Sequence, residues 1–283
     1  MLFVLSPMVG HPVRAACIDF LRNTILSAKR GYIAYAAEDL SFKPLRVIDS
    51  NTGGFVQLTL QERVGLGSRG AVYRLRGGEF GVDAVAKVQK RYRLPTPEKY
   101  DQIADESIER EARVTSLLRE RMAEIEKSPF YPTNAPWKAG EFPVIPILKE
   151  YQSDWGAVLI KPEVRTGKKV QSLRLNDRGE LPQEIQLGLR EIYQLHLAVH
   201  DRIRALPGTA TEGVGMRIDI GASNLVWIED ASELKRLKMS RPGFFLFEVD
   251  QSSTHFLTPP DLNHHRFPTF DSYLDEFMQE MRR

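Results

Sequence analysis

The sequence predicts an α+β protein, with a strand-rich first part and a helix-rich second part. Three observations predict it. From Phe55 onward apolar residues recur with period two, through Phe55–Val64, Ala71–Leu75 and Val82–Val88, with short glycine-bearing connections between the runs. Such connections suit consecutive antiparallel strands. Two long segments, Tyr100–Lys127 and Pro182–Ile203, carry apolar residues at helical spacing. Short apolar strands, Leu225–Ile228 and Phe244–Val249, then precede a closing amphipathic helix at Phe270–Met281.

The elements follow in order. Residues 1–53 read as an N-terminal extension, with one amphipathic helix across Arg14–Arg30 built on Ala16, Cys17, Phe20, Leu21, Ile25 and Leu26. Ser50-Asn51-Thr52-Gly53-Gly54 is a turn or linker signal and sets the boundary. The strand-rich part covers 54–162 and the helical part 163–283. In the first helix Ile103, Ile108, Val114, Leu117 and Leu118 share one face. Pro129–Gly140 holds three prolines and reads as loop. Phe142–Leu148 and Trp155–Ile160 are candidate strands. The second long helix presents Ile185, Leu189, Ile192, Leu195 and Val199. A charged connector joins the last two strands.

Bulk properties bound the function. The chain has 283 residues, 42% hydrophobic and 27% charged, as a globular protein of one large domain or two lobes would. A net charge of +2 gives no reason to expect nucleic acid. The single Cys17 excludes an intramolecular disulfide framework and a cysteine-rich zinc site. No basic region precedes the apolar start, which Pro7 and Pro12 break, so no secretory signal is expected. No uncharged run approaches the ~18 residues needed to span a bilayer.

The chemistry concentrates in a few motifs. Gly65-Leu66-Gly67-Ser68-Arg69-Gly70 has G-x-G-x-x-G spacing, which lets a backbone turn tightly and approach a phosphate. A dinucleotide-binding turn would lead into a helix, but Ala71-Val72-Tyr73-Arg74-Leu75 reads as a strand. A P-loop would place lysine directly after the glycines, where Ala71 stands. What remains is a glycine-rich flap between two strands, or a glycine-rich hairpin with no ligand. Lys87, inside Ala84-Val85-Ala86-Lys87-Val88, must find a partner or lose its charge. Glu111 on the following helix offers one. Glu109 would point about 160° away around the helix.

Asp219-Ile220-Gly221-Ala222-Ser223-Asn224 is a D-x-x-x-x-N loop followed by an apolar strand. There a carboxylate could orient or deprotonate an attacking hydroxyl while the amide oxygen binds Mg²⁺. Asp250 ends the next apolar strand, and a hard cation takes few such carboxylates plus phosphate oxygens.

In this order the motifs resemble the protein kinase-like superfamily. The resemblance runs from about residue 55 to about residue 255 and implies a bilobal fold, with an antiparallel-sheet N-lobe, a helical C-lobe, and ATP with Mg²⁺ between them. By that resemblance Gly65, Gly67, Ser68, Gly70, Val72 and Ala86 line the nucleotide. Lys87 holds the α- and β-phosphates, and Glu111 orients Lys87. Asp219 is the catalytic base, and Asn224 and Asp250 bind metal. Val158–Glu163 resembles the hinge that contacts adenine through its backbone, which brings in Lys161 and Glu163. The expected activity is transfer of phosphate to serine or threonine of a protein substrate, with a regulatory or host protein as a further partner.

The departures are specific. Arg217-Ile218-Asp219 stands where the family has H-R-D, and Asp250-Gln251-Ser252 where it has D-F-G. No A-P-E segment is visible, and 33 residues follow Asp250. A reduced C-lobe of this kind is similar to compact kinases that bacteria inject into host cells. That resemblance implies a virulence effector, cytoplasmic or secreted without a classical signal peptide. The rival readings are a pseudokinase acting as a nucleotide-gated binding module, a small-molecule kinase, and an enzyme that transfers AMP. His196 and His200, one turn apart, could share a metal but read better as helix histidines. His264-His265, Lys168-Lys169 and Lys235-Arg236-Leu237-Lys238 read as solvated surface. Ser252, Ser253, Thr254 and Ser68 could be autophosphorylated.

Overall fold

The computed structural model of the chain describes residues 39–66, 70–76, 80, 83–89, 99–154, 156–164, 167–169, 173, 175–176, 179–204, 215–249 and 269–281. Two compact units make up the chain: residues up to Ile108 together with Lys149–Ile160, and Glu109–Leu148 together with the chain from Lys161 onward. The helix expected at Arg14–Arg30 lies outside the described residues, as do Gly67, Ser68, Asp250, Ser252, Ser253, Thr254, His264 and His265.

The first unit is a barrel. Its strands are β1 Pro44–Asp49, β2 Phe55–Leu66, β3 Gly70–Leu75, β4 Ala84–Gln89, β5 Lys149–Ser153 and β6 Gly156–Pro162, the last ending in the second unit. They close in the order β1-β2-β3-β4-β6-β5, which pairs both edges of the sheet. The predicted antiparallel run β2-β3-β4 is present, with Gly65 opposite Val72 and Val72 opposite Lys87. Leu58, Leu60, Tyr73, Ala86, Val88, Val158 and Ile160 fill the interior. The period-two pattern is therefore the inward face of a closed sheet.

Ser50–Gly54, expected as a turn or linker, lies between β1 and β2. β1 pairs with both β2 and β5, so Pro44–Asp49 belongs to the barrel, and the turn is a hairpin turn. Asp49 forms that turn: its carbonyl accepts from Gly53 N–H at 2.8 Å and its carboxylate from Asn51 N–H at 2.9 Å. Lys149 on β5 reaches the same carboxylate at 2.7 Å, and this contact holds the Asp49 carboxyl below the usual carboxylate range. β5 itself went unread because only Tyr151, among Lys149-Glu150-Tyr151-Gln152-Ser153, is buried.

In the second unit lie the end of α1 (Lys99–Glu120), α2 (Met122–Ile125), α3 (Gln183–Arg202), α4 (Ala231–Arg236) and α5 (Phe270–Met281). A three-stranded antiparallel sheet, β7 Lys168–Lys169, β8 Leu225–Ile228 and β9 Gly243–Leu246, completes it. The candidate strand Phe142–Leu148 is corrected: it makes only one bridge, Val144 to Leu246. Pro143 and Pro146 remove the donors a ladder needs. The charged connector holds α4, capped by Asp230, whose carboxylate accepts from the backbone of Ser232 and Glu233. The Pro129–Gly140 loop is tied to the core by Trp137, whose Nε1 donates to the Phe244 carbonyl at 2.8 Å. Arg241 adds a second tie, donating to the Asn134 carbonyl at 2.6 Å and to the carboxylate of Glu191 on α3. Burial pushes the Glu191 carboxyl up despite that partner. Among the described residues no helix is long and apolar enough to cross a membrane.

Aromatic side chains set the packing of this unit. Trp227 and Phe244 meet edge-to-face at 5.0 Å, and Phe277 on α5 meets Phe244 at 6.2 Å. Gly188 on α3 permits this. A Cβ there would lie 2.8 Å from Trp227 and 3.0 Å from Phe244, both fully buried. On an open helix Gly→Ala stabilises by about 1 kcal/mol. Here the clash with two rings outweighs that gain, and Gly188→Ala is expected to destabilise the chain by about 1–2 kcal/mol, read as a lower midpoint of urea unfolding.

Candidate active site

The glycine motif forms the β2–β3 hairpin, with Gly65 near the end of β2 and Gly70 opening β3. Its tip, with Gly67 and Ser68, is outside the described residues. A Cβ on Gly70 would sit 3.0 Å from the Val88 carbonyl and 3.4 Å from Lys87 Cγ. The missing side chain therefore lets the hairpin lie on the Lys87 stem. Val72 is opposite Lys87 and Ala86 is beside it, all three buried. Every residue of β4 is buried, so Lys87 is a cation set in an apolar strand, as its sequence context predicts.

Glu111 stands in the second unit, 3% exposed, and there it accepts a charged hydrogen bond from Lys161, 1% exposed. Lys161 Nζ also donates to the Phe247 carbonyl at 2.9 Å and lies 5.4 Å from the Phe247 ring centre. The sequence expectation for Lys161 concerned its backbone alone. The side chain has a separate task, joining the end of β6, helix α1 and the segment after β9. Glu163 follows β6 and is half-buried.

The D-x-x-x-x-N loop enters after α3, where Met216 N–H donates to the Ile203 carbonyl at 2.6 Å. Met216, Ile218, Ile220 and Ala222 alternate into the core, each at most 2% exposed. This extended alternation turns Asp219 the other way, to partial exposure. Asp219 Oδ1 accepts from Gly221 N–H at 2.8 Å. Among the described residues the second carboxylate oxygen makes no hydrogen bond, which leaves it available to a proton donor.

Asn224, 5% exposed, organises what surrounds Asp219. Its Nδ2 donates to the carbonyls of Asp219 (2.8 Å) and Glu248 (2.7 Å), and its Oδ1 accepts from Glu248 N–H at 2.9 Å. Phe247 N–H donates to the Asn224 carbonyl at 2.8 Å. The amide thus ties the loop to the segment after β9, at Glu248, two residues before Asp250. Both its N–H donors are used, and one lone pair of Oδ1 remains.

Sequence reasoning missed two contributors to this loop. His196, read from the sequence only as a helix histidine, is 4% exposed, and its Nδ1 lies 3.0 Å from the Ile218 carbonyl. The signal was its phase: four residues after Ile192 and seven after Leu189, it occupies the apolar stripe of α3. Tyr273 on α5, 1% exposed, donates its hydroxyl to the Ile220 carbonyl at 2.9 Å. Arg217 is buried as well, and desolvation lowers its guanidinium pKa. Among the described residues no group of three or more His, Cys, Asp and Glu side chains is gathered.

The chain is similar in structure to protein kinase domains. The PknI kinase domain of Mycobacterium tuberculosis matches at 12% identity and a TM-score of 0.41, over 78% of this chain and 69% of that one. The ROP18 kinase domain, in complex with AMP-PNP and sucrose, matches at 11% identity and a TM-score of 0.35, over 83% of this chain and 64% of that one. The BubR1 kinase domain matches at 12% identity and a TM-score of 0.34, over 90% and 64%. This chain thus spans slightly less than two thirds of the ROP18 and BubR1 domains. No family model matches the chain, and no curated protein matches it.

Proposed function

We propose that this chain is an ATP- and Mg²⁺-dependent phosphotransferase acting on a serine or threonine hydroxyl of a protein. The observation that carries the reading is the Asp219 loop. One carboxylate oxygen is held by Gly221, the other is open, and the backbone carbonyl is locked to Asn224. A carboxylate so oriented can accept the proton of an attacking hydroxyl. The hydroxyl oxygen then bonds to the γ-phosphorus, the bond to the β,γ-bridging oxygen breaks, and ADP leaves.

The remaining roles follow from residue chemistry. Lys87 supplies positive charge to the α- and β-phosphates, and the β2–β3 hairpin lays backbone N–H groups over them. The backbone at Lys161 and Glu163 receives the adenine. The hard amide oxygen of Asn224, with one acceptor position left, fits Mg²⁺, and Asp250 would complete the pair. When bound, the ion neutralises charge on the phosphate oxygens.

Incubation with γ-labelled and with α-labelled ATP, each with and without a generic protein acceptor, tests the proposal. Transfer of the γ label alone is expected. Transfer of the α label would make the chain an AMP transferase. Nucleotide binding with neither label transferred would favour the binding-module reading, to which the missing glycine after Asp250 points.

A further inference from the structure

Three consecutive backbone carbonyls, those of Ile218, Asp219 and Ile220, each accept a hydrogen bond from a buried side chain on a different element. His196 of α3 holds the first at 3.0 Å, Asn224 the second at 2.8 Å and Tyr273 of α5 the third at 2.9 Å. A carbonyl only accepts, so His196 Nδ1 carries the proton in this contact. From this arrangement we infer that His196 and Tyr273 are positioning residues for Asp219, and that α5 is part of the reaction machinery. The inference rests on the reading of Asp219 as the base.

The physical argument is one of constraint. A carboxylate base must stand within hydrogen-bond reach of the proton it takes, and small misplacements cost rate steeply. Asp219 projects from an extended segment with no helix or sheet ladder of its own to hold it. Two peptide planes flank its Cα, and both carry a pinned carbonyl: Ile218 on one side and its own on the other. Tyr273 pins the next plane, so the Gly221 N–H is fixed as well, and that N–H aligns the Asp219 carboxylate. Neither positioning side chain touches the reacting atoms. Both are anchored independently of the loop. Tyr273 stacks on Tyr193 at 5.8 Å and meets Phe277 at 6.3 Å, while His196 lies within the core stripe of α3. A packing role alone would be served equally well by phenylalanine and leucine. The hydroxyl and the ring nitrogen are what the loop uses.

The test employs the full chain. Tyr273→Phe keeps the ring packing and removes only the donor. His196→Leu removes the other donor, and His196→Asn restores an amide N–H near the Nδ1 position. Two readouts are taken: amide hydrogen exchange across 217–224, and kcat and KM for γ-phosphate transfer. Tyr273→Phe is expected to speed exchange in that segment and to lower kcat about tenfold with KM for ATP unchanged. His196→Asn is expected to recover most of what His196→Leu loses. Unchanged exchange in Tyr273→Phe overturns the inference whether or not the parent chain transfers phosphate. If the parent chain is active, an unchanged kcat also overturns it, as does a loss that only follows the unfolded fraction. If the parent chain transfers nothing, the phosphotransferase reading fails by itself, and exchange alone decides whether the two side chains hold the loop.

Discussion

Asp219→Asn is expected to slow γ-phosphate transfer by about 10²- to 10⁴-fold, the range that a positioned general base contributes. The substitution is nearly isosteric. An asparagine oxygen can still accept from Gly221 N–H, and the backbone carbonyl at position 219 still receives Asn224. Loop geometry is therefore retained while the proton acceptor is lost. Nucleotide affinity, read by calorimetric titration, is expected to stay within a factor of about two, because the groups assigned to the phosphates and adenine lie elsewhere. A variant that transfers phosphate at the parent rate would remove Asp219 as base.

Lys161→Met is expected to cost about 3–5 kcal/mol of stability, the range for breaking a buried ion pair from one side. Lys161 and Glu111 are 1% and 3% exposed, so water screens neither. The ammonium also satisfies the Phe247 carbonyl. Methionine fills much of the stem volume but offers nothing to the carboxylate or the carbonyl. Combining it with Glu111→Leu removes both charges, and such apolar replacement of a whole pair is often close to neutral. The double variant is therefore expected to regain at least half of the loss, measured by urea unfolding. A loss below about 1 kcal/mol in Lys161→Met would show that this pair contributes little to the fold. The two substitutions separate chemistry from architecture: one removes a proton acceptor at a half-exposed position, the other removes a cation from the core.

Much of the second unit was legible from period alone. α3 and α5 fall where the spacing of apolar residues puts them, because each turns an apolar stripe to a single core, and β8 falls on an unbroken apolar run because all four of its residues are buried. The β2–β3–β4 run was legible too, since alternation and glycine-bearing connections specify local antiparallel pairing. β1 and β5 were not. β5 presents one inward residue, and what makes either a strand is closure of the barrel by residues about a hundred positions apart. Phe142–Leu148 gave the opposite error: its apolarity is a strand's, but Pro143 and Pro146 lack the donors a strand needs.

The sequence by itself determined which residues are proposed for the chemistry: a glycine hairpin, a lysine in an apolar strand, and an acid and an amide five positions apart on one loop. These signals survive in one dimension because the chemistry needs particular side chains at short, fixed spacings. The tertiary structure alone decided what holds them. Asp219 is framed by His196 and Tyr273, which are 23 residues before it and 54 after it. Lys161 meets Glu111 across fifty positions. A hydrogen bond to a backbone carbonyl leaves no mark on the residue that accepts it, so only the packed core shows which carbonyls are held and by whom.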